Sequence, residues 1–252
     1  MKTAIFGLAA LLSLGAIANA EEANPPANNR EKTKAFALDF SVEGELFAFD
    51  KELYVVTPSV GFTLFEVLDA TVSLPVYNTA DEQGIGGDLN FGVEYGVEQK
   101  KPGLFNADSS TLSVNGQFGL PLGGEYASEN YTFTVGGAFG LEWDKVSFEQ
   151  NVSYLFSTGD TFVPVFGGFL DSEVLSLNSN LSYAFSNKFK VGVDFAQYYA
   201  GDSTLLTVGP SIDWSISKSA SFNVAVGFVV DQEDMPYGEL DCTVKAGLGF
   251  KF

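Results

Sequence analysis

Residues 131–157 read YTFTVGGAFGLEWDKVSFEQNVSYLFS. Large apolar side chains recur at alternate positions: Tyr131, Phe133, Val135, Phe139, Leu141 and Trp143, then Val146, Phe148, Val152, Tyr154 and Phe156. A period of two is the mark of a β-strand with one apolar face. Asp144-Lys145 interrupts the alternation for two residues, the length of a tight hairpin turn. The positions in between are small or polar, so the opposite face of each strand is hydrated.

The same alternation spreads in both directions. Ten further runs lie at 36–42, 54–64, 70–76, 89–95, 112–122, 175–185, 189–199, 206–216, 222–228 and 244–252. The polar face recurs with them, as in Ser176-x-Asn178-x-Asn180-x-Ser182. About twelve strands are therefore expected between Lys34 and Phe252, an all-β chain. Past Lys34, no apolar run reaches the ~18 residues of a membrane helix.

Alternation alone does not separate a soluble sandwich from a membrane barrel. Three features favour the transmembrane antiparallel up-and-down barrel. Aromatics such as Tyr131, Trp143, Tyr154, Phe156 and Trp214 stand near strand ends, where barrels meet the lipid–water boundary. Turns are tight near Glu66, Asp144-Lys145, Ser186-Asn187-Lys188 and Ser217-Lys218-Ser219, while 78–87, 157–173 and 230–241 are long or acidic. The link 97–110 is the exception, long yet on the short-turn side. Finally, Val244, Ala246, Leu248, Phe250 and Phe252 alternate up to a terminal Phe, and this resembles the insertion signal of bacterial outer-membrane barrels. An even strand number places both termini in the periplasm.

The N-terminus is read as an address. Lys2 precedes an apolar run from Ala4 to Ile17, and Ala18-Asn19-Ala20 gives the small-x-small pattern of signal peptidase. Residues 1–20 are expected to be a signal peptide, 21–33 a disordered periplasmic lead-in, and 34–252 the barrel. Periplasmic chaperones, the barrel-assembly machinery and outer-membrane lipid are the partners this route implies.

Composition narrows the function. The chain has 252 residues, no His, one Cys and a formal charge of −19. Such a charge opposes nucleic-acid binding, where phosphates must be neutralised. Without His, a hydrolase lacks its usual base and a zinc site its commonest ligand. Nothing marks a nucleophile among the serines, so no enzyme and no cofactor are expected. Cys242 reads as a small hydrophobe. The Asn-x-Ser/Thr triplets at Asn130, Asn151 and Asn180 lie in or beside strands and are read as chance. The acidic run 231–241 lacks the spacing of a calcium loop and reads as a solvated loop.

Residues 70–77 (ATVSLPVY), 86–96 (GGDLNFGVEYG) and 116–125 (GQFGLPLGGE) carry a further signal. Their Leu74-Pro75-Val76-Tyr77, Gly87-Asp88 and Pro121-Leu122-Gly123 steps resemble the outer-membrane transporters of the phenol meta-degradation pathway. That resemblance covers about a fifth of the chain, implies a transport barrel and identifies no substrate. Val76 separates the proline from the aromatic residue.

Parity assigns the pore-lining charges. Asp39, Asp88, Glu94, Glu142, Glu149, Asp194 and Asp213 face inward, opposed by Lys190, Lys245 and Lys251. Glu142 and Glu149 form a diagonal pair across the turn at Asp144-Lys145. Pairing of the first and last strands is expected to bring Asp39 to Lys245. The apolar stretch 157–173 either prolongs its strands or folds into the mouth, and prolongation is favoured. The function expected is a monomeric, porin-like channel in the bacterial outer membrane. Small solutes would diffuse passively through its narrow, acid-lined lumen. The alternative is a closed structural or surface-interaction barrel without conductance.

Overall fold

The computed structural model describes residues 36–252, apart from 50–51, 65–66, 80–86, 101–103, 125, 171–172 and 236–237. The expected signal peptide 1–20, the expected lead-in 21–33 and the turn residue Glu66 lie outside the described residues.

The wall is a closed antiparallel barrel of twelve staves. In chain order they are β1 (Phe36–Ala48), β2 (Leu53–Leu64), an interrupted stave of β3 (Leu68–Ser73) and β4 (Val76–Thr79), β5 (Asp88–Lys100), β6 (Ser109–Pro121), β7 (Thr132–Trp143) and β8 (Val146–Ser157). After a short hairpin, β9 (Thr161–Val163) with β10 (Gly168–Leu170), the wall resumes. It continues through β11 (Val174–Ser186), β12 (Phe189–Ala200), β13 (Ser203–Ser215), β14 (Ala220–Glu233) and β15 (Cys242–Lys251). Each stave pairs with its neighbour, and β1 closes the ring by pairing with both β2 and β15. Closure leaves no open row of backbone donors and acceptors, which lipid could not satisfy.

Turn chemistry explains the close hairpins. Trp143 pairs with Val146, leaving Asp144-Lys145 as the turn, with Asp144 at φ 44°. At the opposite end Ala200 pairs with Ser203 around Gly201-Asp202, with Gly201 at φ 59°. The end carrying Asp144-Lys145 is called the turn end below, and the other the loop end.

The link 97–110 is shorter than its sequence suggests. Strands β5 and β6 pair out to Lys100 and Ser109, leaving 101–108 as the connection. Its described part holds a tight turn at Leu104–Asn106, with Phe105 and Asn106 at left-handed φ of 54° and 58°. Asp108 then donates its N–H to the Glu142 carbonyl (2.7 Å), and its carboxylate accepts from the Asp144 N–H (2.8 Å). The long link thus folds onto the neighbouring hairpin and leaves the strand count at twelve.

Polarity runs opposite to that of a soluble barrel. Outward positions are apolar and uncovered: Val114 is 60% exposed, Phe185 65% and Val93 52%. Inward positions carry Asn, Ser, Thr, Gly and charged residues along every stave. At about 25 cal/mol per Å2 of apolar surface, an exterior of this kind is costly in water and favourable in lipid.

Candidate functional site: the lumen and its plug

Register brings the inward side chains into rows. Glu149 lies opposite Asn180, and Asn180 opposite Asp194, so an amide separates the two carboxylates. Asn180 donates its Nδ2 to Asp194 and also to Ser211 Oγ at 3.1 Å. One step toward the turn end, the Ser147 and Ser182 hydroxyls meet at 2.7 Å. Lys190 sits opposite Asp213 across β12–β13. Glycines keep this wall thin. A Cβ at Gly192 would stand 2.8 Å from Ser211 Oγ, and one at Gly140 2.4 Å from Thr111 Oγ1.

The remaining acidic positions have distinct surroundings. Glu142 lies opposite Ser147 and Glu149 opposite Gly140, so the two carboxylates are offset by one inward step on adjacent strands. Glu142 also accepts from Ser109 Oγ at 3.3 Å. Glu94 lies opposite Asp69 and Asn115. Asp88 anchors a loop, accepting from the Ser128 N–H (2.9 Å), Ser128 Oγ (2.7 Å) and Thr132 Oγ1 (3.4 Å). It ties the connection between β6 and β7 to the barrel rim.

The seam between β1 and β15 forms as expected, but the expected ion pair does not. Lys245 Nζ bonds Glu43 at 2.7 Å and Glu45 at 3.4 Å. Asp39 lies opposite Lys251, six residues further along β15, and accepts from Thr63 Oγ1 at 3.4 Å. The cause is stagger: β1 continues past Gly44 to Ala48, which slides the paired register away from one counted from the chain ends. Glu43 and Glu45 were legible as the continuation of the alternating polar positions Asp39 and Ser41.

Phe250 and Phe252 have outward parity. Phe250, opposite Phe40 and Ala220, is buried among outer side chains. Phe252 is half exposed, and its backbone completes the seam: its N–H donates to Leu38 O (2.8 Å), and its carbonyl accepts from Leu38 N–H (3.3 Å).

The connection 158–173 corrects the expected strand extension. Among the described residues β9 and β10 pair only with each other, and the hairpin packs against inward-facing residues of the wall. Phe166 is wholly buried at its tip. Around it pack Phe162, Val163, Val165 and Leu170 from the hairpin, against Phe47, Leu53, Val55 and Tyr77 from the wall. β8 and β11, which launch the hairpin, stand across the ring from β1 and β2, so it bridges the mouth. Six large apolar residues in one loop would be costly in water, and burial inside the mouth removes that cost. Gly167 makes the contact possible. Its φ is 76°, and a Cβ there would meet the Phe49 ring at 3.0 Å. Phe162 meets Tyr77 at 5.0 Å and Tyr126 at 4.9 Å in the edge-to-face geometry such rings favour, while the two tyrosine rings lie tilted at 5.4 Å.

A cavity of about 710 Å3 is lined by Phe162 and Val165 of this plug and by Asn151, Asn178, Asp194 and Lys245 of the wall. A second, of about 400 Å3, is lined by Asp69, Glu94, Glu98 and Glu149. The first holds amides, hydroxyls and one ion cluster; the second is acidic.

No family profile and no curated protein sequence matches this chain. Solved structures do. A NanC porin superposes with a TM-score of 0.59 at 10% identity, covering 84% of this chain and 100% of that one. The COG4313 outer membrane channel from Pseudomonas putida F1 gives 0.63 at 10% identity, covering 92% and 100%. A KdgM porin gives 0.50 at 12% identity, covering 84% and 99%. At such identities the likeness is one of fold: this chain folds as outer-membrane channel barrels do.

Proposed function

We propose that this chain is a bacterial outer-membrane channel through which small solutes diffuse passively. The observation that carries the reading is the inverted wall, apolar outside and polar within, closed around cavities lined by amides, hydroxyls and charged groups. The likeness to porin folds supports it, as does the resemblance to the phenol-pathway transporters. The signal peptide supports export, and Phe250 and Phe252 serve as the insertion signal read by the assembly machinery. Both termini then lie in the periplasm, and the loop end faces outward.

The mechanism is hydration followed by electrostatic filtering. Asn, Ser and Thr groups replace part of a solute's water shell along the wall. Asp39, Asp88, Glu94, Glu142, Glu149, Asp194 and Asp213, with Glu43 and Glu45, outnumber Lys190, Lys245 and Lys251. The resulting potential favours cations and repels anions. Planar-bilayer recording under a salt gradient tests this. The expected result is discrete conductance with a cation-selective reversal potential, and anion selectivity would overturn the filter.

The plug favours a second reading, a closed barrel that acts through its loops. The two readings differ in one measurement. A closed barrel stays silent in the bilayer, while a channel conducts, and conducts more once the plug is shortened.

A further inference from the structure

Charge divides sharply between the two ends of the barrel. The loop-end connections, 49–52, 80–87, 122–131, 158–173, 201–202 and 234–241, contain thirteen acidic residues and one lysine. The turn-end connections, 65–67, 101–108, 144–145, 187–188 and 216–219, contain four lysines and three acidic residues. Three of these lysines, Lys145, Lys188 and Lys218, are exposed and occupy hairpins that follow one another around the ring.

Backbone bonds join these hairpins into one arc. The Lys145 carbonyl accepts from the Ala184 N–H (2.7 Å) and the Lys188 carbonyl from the Ser215 N–H (2.8 Å). The Ser219 carbonyl then accepts from the Lys251 N–H (2.9 Å). One lysine per hairpin, at two strand spacings, sets the ammonium groups about 10 Å apart. Asp144 and Asp108 stand beside Lys145, whereas 186–189 and 216–219 contain no acid.

The same arc carries aromatic side chains on its outer face. Trp143 precedes the Lys145 turn, Phe185 and Phe189 flank Lys188 with rings 6.2 Å apart, and Trp214 lies opposite Phe189 ahead of Lys218. Trp143 and Trp214 are the two tryptophans of the chain. Tryptophan settles at the lipid–water boundary, so lysines a few residues beyond it stand at headgroup depth.

We infer that Lys145, Lys188 and Lys218 form a docking rim for anionic phospholipid headgroups in the leaflet at the turn end. The inference rests on the membrane-barrel reading and adds to it a lipid preference confined to one rim. Each ammonium donates to a headgroup phosphate while the neighbouring aromatic ring holds that stretch of wall at the boundary. The acidic loop end repels the same lipids, so the two rims differ in the leaflet they tolerate.

The tryptophans give a built-in reporter. The full chain is refolded into vesicles containing brominated phosphatidylcholine or brominated phosphatidylglycerol, and tryptophan quenching is compared. Phosphatidylglycerol should associate about three- to fivefold more strongly at this annulus than phosphatidylcholine. The preference should fall to about unity in the K145Q/K188Q/K218Q variant, and in the unaltered protein at ~1 M salt. It should persist in K51Q at the loop end. Equal association by the unaltered protein, or a preference that survives the triple substitution, would overturn the rim. Absence of quenching by either lipid would instead sink the membrane reading. The salt arm keeps the test decisive if the triple variant does not refold.

Discussion

Lys245 holds two carboxylates on one strand, with its own side chain 46% exposed, Glu43 36% and Glu45 30%. A hydrated pair of this kind contributes modestly, about 0–1 kcal/mol. Lys245→Met is therefore expected to lower stability by no more than ~1 kcal/mol, measured by urea unfolding of the folded barrel. It should also raise cation preference, because Glu43 and Glu45 lose their counter-charge. Glu142 and Glu149 have no cation opposite them in register, where Ser147, Ser109, Gly140 and Asn180 stand. Changing both to Gln should reduce cation selectivity, and an unchanged reversal potential would count against an acidic filter. These carboxylates were readable from alternation alone, since period two assigns a face to every residue. The partner of Lys245 was not, because alternation carries no information about stagger between strands.

At the scale of the element, the β9–β10 hairpin departs from ordinary strand logic. Its apolar residues do not alternate, because they fill an interior instead of coating a wall. Replacing residues 161–170 with a short Gly-Ser linker should leave the barrel folded, as judged by resistance to detergent unfolding. Conductance should rise in the same protein; no change would mean that the hairpin does not limit passage. Gly167→Val is the subtler variant. It places a β-branched residue at φ 76° against the Phe49 ring, at a cost of about 1–3 kcal/mol. The plug should loosen, so current fluctuations should increase while the wall's thermal unfolding stays unchanged. The composition of 158–173 shows that the segment must be buried. Where it is buried depends on the ring order, which sets β8 and β11 opposite β1 and β2.

For the whole molecule, closure is the decisive event. Phe252 contributes two backbone hydrogen bonds with Leu38 at the end of the seam, while its side chain remains half exposed. Deleting it removes those bonds from a seam that β1 and β15 otherwise hold from Asp39–Lys251 to Ala48–Cys242. The folded barrel should lose little stability, on the order of 1–2 kcal/mol. Its delivery should suffer far more, with chain accumulating in the periplasm and degrading. Normal outer-membrane levels after the deletion, measured by fractionation, would refute the insertion role.

The strand count and the inward and outward faces follow from local alternation and turn chemistry. Those are short-range properties, and each residue states its own share. Three features needed the assembled tertiary structure: the Lys245 cluster with Glu43 and Glu45, the use of Asp88 to anchor Ser128, and the inward fold of the plug. Each joins residues brought together by stagger, by a connection folding back onto the neighbouring strand, or by position across the lumen. Shear and ring closure arise only when all twelve staves pair at once, and no single strand encodes them.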